Sequence, residues 1–288
     1  MGSELKIIEC PRDAMQGITT FIPTEVKIAY INLLLKVGFH TIDFGSFVSP
    51  TAVPQMKDTA QVLDGLDIDT TRTLLLSIIA NRRGAEDAAS FDAIKYLGFP
   101  LSVSETFQQR NTNKTIGEAL TLVEEIQEIC IQKHKEQVVY LSMGFGNPYG
   151  DPYEKEYIVE FVGKLDKLGV KIISLSDTIG VSDKDNIHYL FESLIPAFPH
   201  IEFGAHLHAH PKDAKDKVRW AYEAGCRRFD GALKGFGGCP MAKDDLVGNI
   251  ATENIISFMK GQQIDASIDQ EWFDKALHKA SEVFLRYK

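Results

Sequence analysis

Residues 154–176 read EKEYIVEFVGKLDKLGVKIISLS, and the order of elements in this stretch decides the fold. An amphipathic segment, Glu154–Leu168, stops at Gly169 and is followed at once by an apolar run, Lys171–Ser176. The spacing predicts a helix, a left-handed glycine turn and a buried strand. The same unit recurs downstream: Asp183–Ile195 then Ile201–His206, and Pro211–Ala224 then Cys226–Ala232. Upstream, the strand candidates are Lys6–Cys10, Phe39–Phe44, Thr73–Ile79, roughly Ile94–Leu101 and Gln137–Met143. Helical segments Thr24–Val37 and Ile116–Lys133 lie among them, and Gly38 and Gly225 repeat the glycine stop of Gly169. Eight continuously apolar strands alternating with helices predict an α/β chain folded as a (β/α)8 TIM barrel, with a C-terminal helical extension from Asp269. The competing open doubly wound sheet would want a Gly-x-Gly-x-x-Gly after the first strand, and none follows it.

The 288 residues suit one barrel domain over 1–288, with no linker or low-complexity tract to divide them. A net charge of −9 argues against a nucleic-acid partner, which needs a basic face. No apolar run approaches the ~20 residues of a membrane span. The opening residues show no leader pattern, so a cytoplasmic protein is expected. The four cysteines form no Cys-x-x-Cys pair and read as reduced thiols, with Cys10, Cys130 and Cys226 in the core.

Barrel chemistry sits at the C-terminal ends of the strands. There the chain carries Arg12-Asp13, Asp43, Asp177-Thr178, His206-Leu207-His208, the glycine-rich Gly235–Pro240 and Gly248-Asn249. Strand side chains alternate, so His206 and His208 point to one side and can share an ion. Two ordinary strand-end histidines would read the same way. Asp13 supplies a carboxylate, or caps a helix, or pairs with Arg12. With Asn249 adding an amide oxygen, the set suits Mg²⁺, Mn²⁺ or another first-row divalent ion rather than a structural thiolate zinc. His210 reads as a solvent-facing or supporting residue. Arg12 is a candidate to stabilise a developing enolate oxygen. Asp43 and Asp177 could orient a histidine or take a proton, or serve only as hydrogen-bond anchors. Cys239 lies among glycines and a proline, where a closing loop could deliver a proton, unless it is simply a small buried residue.

Five ordered blocks resemble the 3-hydroxy-3-methylglutaryl-CoA lyase family, a group of metal-dependent TIM-barrel lyases. They are Pro11–Gln16; Ser46–Pro50 with Val53–Met56; Ser176–Gly180; His206–His208; and Gly237–Pro240 with Gly248–Glu253. The resemblance runs from about residue 5 to about residue 265. It implies retro-Claisen cleavage of an acyl-CoA to acetyl-CoA and acetoacetate, a step of leucine degradation. It implies a divalent cation on Asp13, His206, His208 and Asn249, an enolate held by Arg12, and Cys239 on the signature loop. Substrate contacts are expected from Arg12, Gln16, Thr178, Gly237 and Gly238, proton abstraction from His206 or Asp13, and a homodimer. The chain departs from the family pattern at Ala14, Asp43, Phe44-Gly45, Ala209 and Asn147-Pro148-Tyr149. Rival readings are a synthase condensing an acyl-CoA with a 2-keto acid, a 4-hydroxy-2-keto acid aldolase, and a catalytically inactive barrel that binds without metal.

Overall fold

The computed structural model describes residues 5–238 and 247–287. Its strands are β1 Lys6–Glu9, β2 Thr41–Ser46, β3 Leu74–Ile78, β4 Ile94–Ser102, β5 Glu136–Ser142, β6 Ile172–Asp177, β7 Glu202–Ala209, β8 Arg228–Gly231 and a short β9, Gly248–Asn249. The helices are α1 Pro11–Gln16, α2 Thr24–Val37, α3 Thr59–Asp64, α4 Arg82–Ala89, α5 Glu105–Thr112 and α6 Ile116–Gln132. They continue with α7 Lys155–Lys167, α8 Lys184–Ala197, α9 Ala214–Glu223, α10 Thr252–Gly261 and α11 Gln270–Tyr287. Strands β1 to β8 pair in parallel with their sequence neighbours, and β8 returns to β1 from Lys6↔Arg228 to Glu9↔Gly231. The sheet therefore closes into the barrel that the alternation predicts.

The strands read as unbroken apolar runs because both faces are buried: β6 is buried at every position, inside the barrel and beneath the helices. The glycine stops behave as predicted, with φ of +86° at Gly38, +82° at Gly169 and +101° at Gly225. Among the differences from the sequence expectation, two bear on the site. Strand β2 begins at Thr41 rather than Phe39, and its pairing with β3 shifts register between Asp43 and Gly45. Pro11–Gln16, expected at a strand end, is a single helical segment with proline in its first turn, where the missing N–H costs nothing. That turn sets Arg12 and Asp13 over the barrel mouth.

Helix α11 is the expected C-terminal extension. It buries Phe273, Ala276, Ala280, Val283 and Phe284, the i, i+3, i+7 pattern of one apolar stripe. Phe284 meets Tyr30 of α2 edge-on at 6.0 Å and stacks on Phe236 at 4.5 Å. Its burial contributes about 2–3 kcal/mol and braces the segment leading to Gly237. Strand β9 pairs antiparallel with the end of β7, placing Asn249 opposite His208. Among the described residues, no helix is long and apolar enough to cross a membrane.

Candidate active site

A cavity of about 360 Å³ opens at the C-terminal ends of the strands. Arg12, Asp13, His206 and His208 form its polar wall, while Val48, Ile78, Pro100 and Phe107 contribute apolar surface. The pairing order puts β3 and β4, which carry Ile78 and Pro100, across the barrel from β7 and β8.

Asp13, His206 and His208 each place one ligand atom within 4.8 Å of the others. Each imidazole is fixed through Nδ1. His206 Nδ1 meets Asp230 Oδ2 at 3.0 Å, and His208 Nδ1 donates to the Thr178 carbonyl at 3.1 Å. Both rings therefore offer Nε2. His208 Nε2 is buried and has no partner among the described residues. A buried acceptor left unpaired costs about 1–3 kcal/mol, so this atom calls for a bound cation or donor.

The charges at Asp13 and His208 favour ligation, and those at His206 oppose it. Burial would raise the Asp13 carboxyl, but Arg12 and the two histidines hold it below its ordinary value. Burial and the neighbouring His206 lower His208, which keeps that ring neutral. At His206 burial is outweighed by the hydrogen bond and charge of Asp230, so its pKa is raised. A carboxylate and neutral imidazole are the forms a metal requires. Cys10, His206 and Asp230 form a second close group, but it would use the Nδ1 already bonded to Asp230. Burial also drives the Cys10 thiol well above its usual range, keeping it protonated.

Asn249 reaches Asp13 with its nitrogen: Nδ2 lies 2.6 Å from Asp13 Oδ2 and 3.0 Å from the Phe236 carbonyl. For its oxygen to ligate, the amide must turn. Arg12 is clamped. Nε and Nη2 donate to Asp43, and Nη1 donates to Asp13 at 3.0 Å and to Gln16 at 2.9 Å. Four of the five N–H groups are used, and one on Nη2 has no partner among the described residues. Gln16 also donates to Asp13 Oδ1 at 2.6 Å and lines the cavity, as does Thr178.

Two predicted carboxylates are not brought into the cavity. Asp43 is fully buried behind Arg12, and burial pushes it up to about 6 despite that cation. Asp177 accepts from the backbone N–H groups of Val181 and Ser182, each at 2.9 Å, and from Lys217 at 2.8 Å. Gly237 and Gly238 are in left-handed conformations. A Cβ on Gly237 would stand 2.6 Å from the Asp13 carbonyl oxygen, so only glycine lets this loop lie against Asp13. Cys239 lies outside the described residues. His210 is half-buried and accepts from Lys212 N at 3.3 Å, away from the cluster.

Sequence reasoning missed Asp230, which fixes His206, although a carboxylate at the end of β8 was a usable signal. It also missed Tyr140, which meets His206 edge-on at 5.4 Å and lines the cavity. Lys217 lies within α9 and carries no sequence signal.

Comparisons with known proteins agree with this architecture. A family model described as HMGL-like matches residues 5–280. The hydroxymethylglutaryl-CoA lyase YngG of Bacillus subtilis is 31% identical over 261 residues, covering 91% of this chain and 86% of that protein. The cytoplasmic 3-hydroxy-3-methylglutaryl-CoA lyase of Rattus norvegicus is 32% identical over 282 residues, covering 96% and 78%. The structure of an HMG-CoA lyase from Acinetobacter baumannii in complex with coenzyme A and 3-methylmalate is similar with a TM-score of 0.89 and 30% identity, covering 98% of this chain and 91% of that one.

Proposed function

The chain belongs to the HMGL-like family, and from that premise we propose that it is a carbon–carbon lyase cleaving 3-hydroxy-3-methylglutaryl-CoA to acetyl-CoA and acetoacetate. The observation that carries the site assignment is the convergence of Asp13, His206 and His208, with His208 Nε2 buried, beside Arg12, where that Nε2 and one Arg12 N–H have no partner among the described residues.

The donor set fits a divalent cation. Asp13 and the Nε2 atoms of His206 and His208 would hold it, with Asn249 contributing its oxygen once the amide turns. One carboxylate, two imidazoles and an amide suit Mg²⁺, Mn²⁺ or another first-row divalent ion, with positions left for substrate oxygens. Such an ion supplies Lewis-acid polarisation of the C3 hydroxyl.

The chain's own groups account for the rest. Asp13, which lines the cavity, accepts the hydroxyl proton, because a His206 that holds the cation through Nε2 and Asp230 through Nδ1 has no free lone pair. As the O–H bond breaks, the C3–O bond becomes a carbonyl, and the C2–C3 pair passes to C2 as the enolate of the thioester. The second Nη2 hydrogen of Arg12, without a partner among the described residues, is available to donate to the thioester oxygen as charge develops there. Asp43 and Asp13 hold the guanidinium rigid, so little reorganisation is needed at that moment. The resemblance alone assigns proton return at C2 to Cys239. The acyl chain packs against Val48, Ile78, Pro100 and Phe107, which keep water from the carbanion. A metal-binding lyase of the cytoplasm, acting on a soluble acyl-CoA, is the setting we assign.

The test is a product-resolved assay of the purified full chain with 3-hydroxy-3-methylglutaryl-CoA. Acetyl-CoA and acetoacetate should appear in equal amounts with Mg²⁺ or Mn²⁺ and cease with a chelator. Failure to cleave this substrate, with cleavage of a 4-hydroxy-2-keto acid instead, would overturn the reading.

A further inference from the structure

Lys217 is a charged residue in the middle of α9, 3% exposed, and it does not line the cavity. Its ammonium has three N–H donors. It reaches Asp177 Oδ2 at 2.8 Å, the His208 carbonyl at 2.9 Å and the Gly180 carbonyl at 3.0 Å. Three donors meet three acceptors, so none is left to contact a substrate.

All three acceptors bear on one imidazole. The His208 carbonyl fixes the backbone from which the ring projects. Asp177 ends β6 and Gly180 lies in the turn after it, which Asp177 also ties through the N–H groups of Val181 and Ser182. Within that turn the Thr178 carbonyl receives the His208 Nδ1 proton. Lys217 thus holds both His208 and the group that sets its tautomer. The neighbouring Ala209, with only a methyl group, supplies no polar side chain for this task.

We propose that Lys217 is a positioning residue: it joins β7 to the turn after β6 so that His208 presents Nε2 to the bound cation. The proposal rests on the metal-site reading above. Groups that orient metal-ligating histidines typically change metal affinity roughly 10–100-fold when removed.

The test uses the full chain, stripped of metal, with Mn²⁺ as the probe. Mn²⁺ affinity is measured for the wild type, Lys217→Met and Lys27→Met. Lys27 forms another deeply buried lysine–carboxylate pair, with Asp58 at 2.7 Å, and its ammonium bonds to Asp58 and the Gln55 carbonyl rather than to any residue of the cluster. Lys217→Met should weaken Mn²⁺ binding roughly 10–100-fold, whereas Lys27→Met should lose stability but keep the wild-type affinity. If Lys217→Met does not fold, Lys217→Met/Asp177→Asn removes both charges together and leaves neither buried alone; it should show the same loss of affinity. Equal losses in Lys217→Met and Lys27→Met, or a folded Lys217 variant with unchanged affinity, would overturn the proposal while leaving the metal site standing. A wild type that does not bind Mn²⁺ would instead overturn the metal-site reading and this inference with it.

Discussion

Replacing Glu9 with glutamine should make the protein more stable, and increasingly so as the pH rises. Glu9 is wholly buried on the outer side of β1. One carboxyl oxygen accepts from Leu233 N at 2.9 Å, and the other lies 2.5 Å from Thr252 Oγ1. Burial raises its pKa from 4.5 to about 8; the contacts with Thr252 and Leu233 oppose that rise, and Glu253 adds to it. The folded state therefore holds a proton that the unfolded chain releases near pH 4.5. The stability from this protonated group is fully present below pH 4.5 and is lost as the pH climbs through about 8. At 1.36 kcal/mol per pH unit the span corresponds to on the order of 5 kcal/mol at pH 8 and above. Glutamine reproduces the protonated form: its oxygen accepts from Leu233 N, and its nitrogen donates to Thr252 Oγ1. Paired urea titrations of the two proteins between pH 4.5 and 9 isolate this group, because all other titrations are shared and cancel. The stability difference should be near zero at the acid end and grow steadily to several kcal/mol in favour of Glu9→Gln. Parallel curves across the whole range would refute the reasoning. The outcome also bears on the site, since Leu233 starts the segment leading to Gly237, and Thr252 begins the helix after Asn249.

Arg12→Gln should lower kcat by about 10²–10³-fold, the usual loss for one preorganised donor to a developing oxyanion. Mn²⁺ affinity, measured on the same preparation, should change far less; equal losses in both would remove the enolate role. Gly237→Ala should destabilise by about 1–3 kcal/mol and reduce turnover, because φ is +85° and the new Cβ would strike backbone atoms of Asp13 and Ala14 at 2.6 and 2.7 Å. Thermal unfolding and initial rates check both effects, and a variant that matches the wild type in each would show that the loop yields freely.

The barrel was legible because parallel strands buried on both faces leave unbroken apolar runs, and because left-handed turns at helix ends favour glycine. His206 and His208 were legible for a related reason: a strand's two-residue period puts alternate side chains on one side. What escaped notice depends on burial and long-range pairing. Nothing local distinguishes Asp230, bonded to His206, from Asp177, bonded to its own turn. Lys217 resembles a surface lysine of an amphipathic helix, yet the turn after β6 covers it. Strand β9 has two residues and no periodicity, so its pairing of Asn249 with His208 could not be read from the chain. Asp43 was expected near the chemistry and does touch Arg12, but the guanidinium stands between it and the cavity.

The central claim is that Asp13, His206 and His208 gather one divalent ion. Equilibrium binding of Mn²⁺ to the metal-stripped full chain, beside His208→Gln, tests it most directly. The account predicts one tight ion per chain in the wild type and loss of that binding in the variant. A wild type that binds none, or a folded His208→Gln protein with undiminished stoichiometry and affinity, would contradict it.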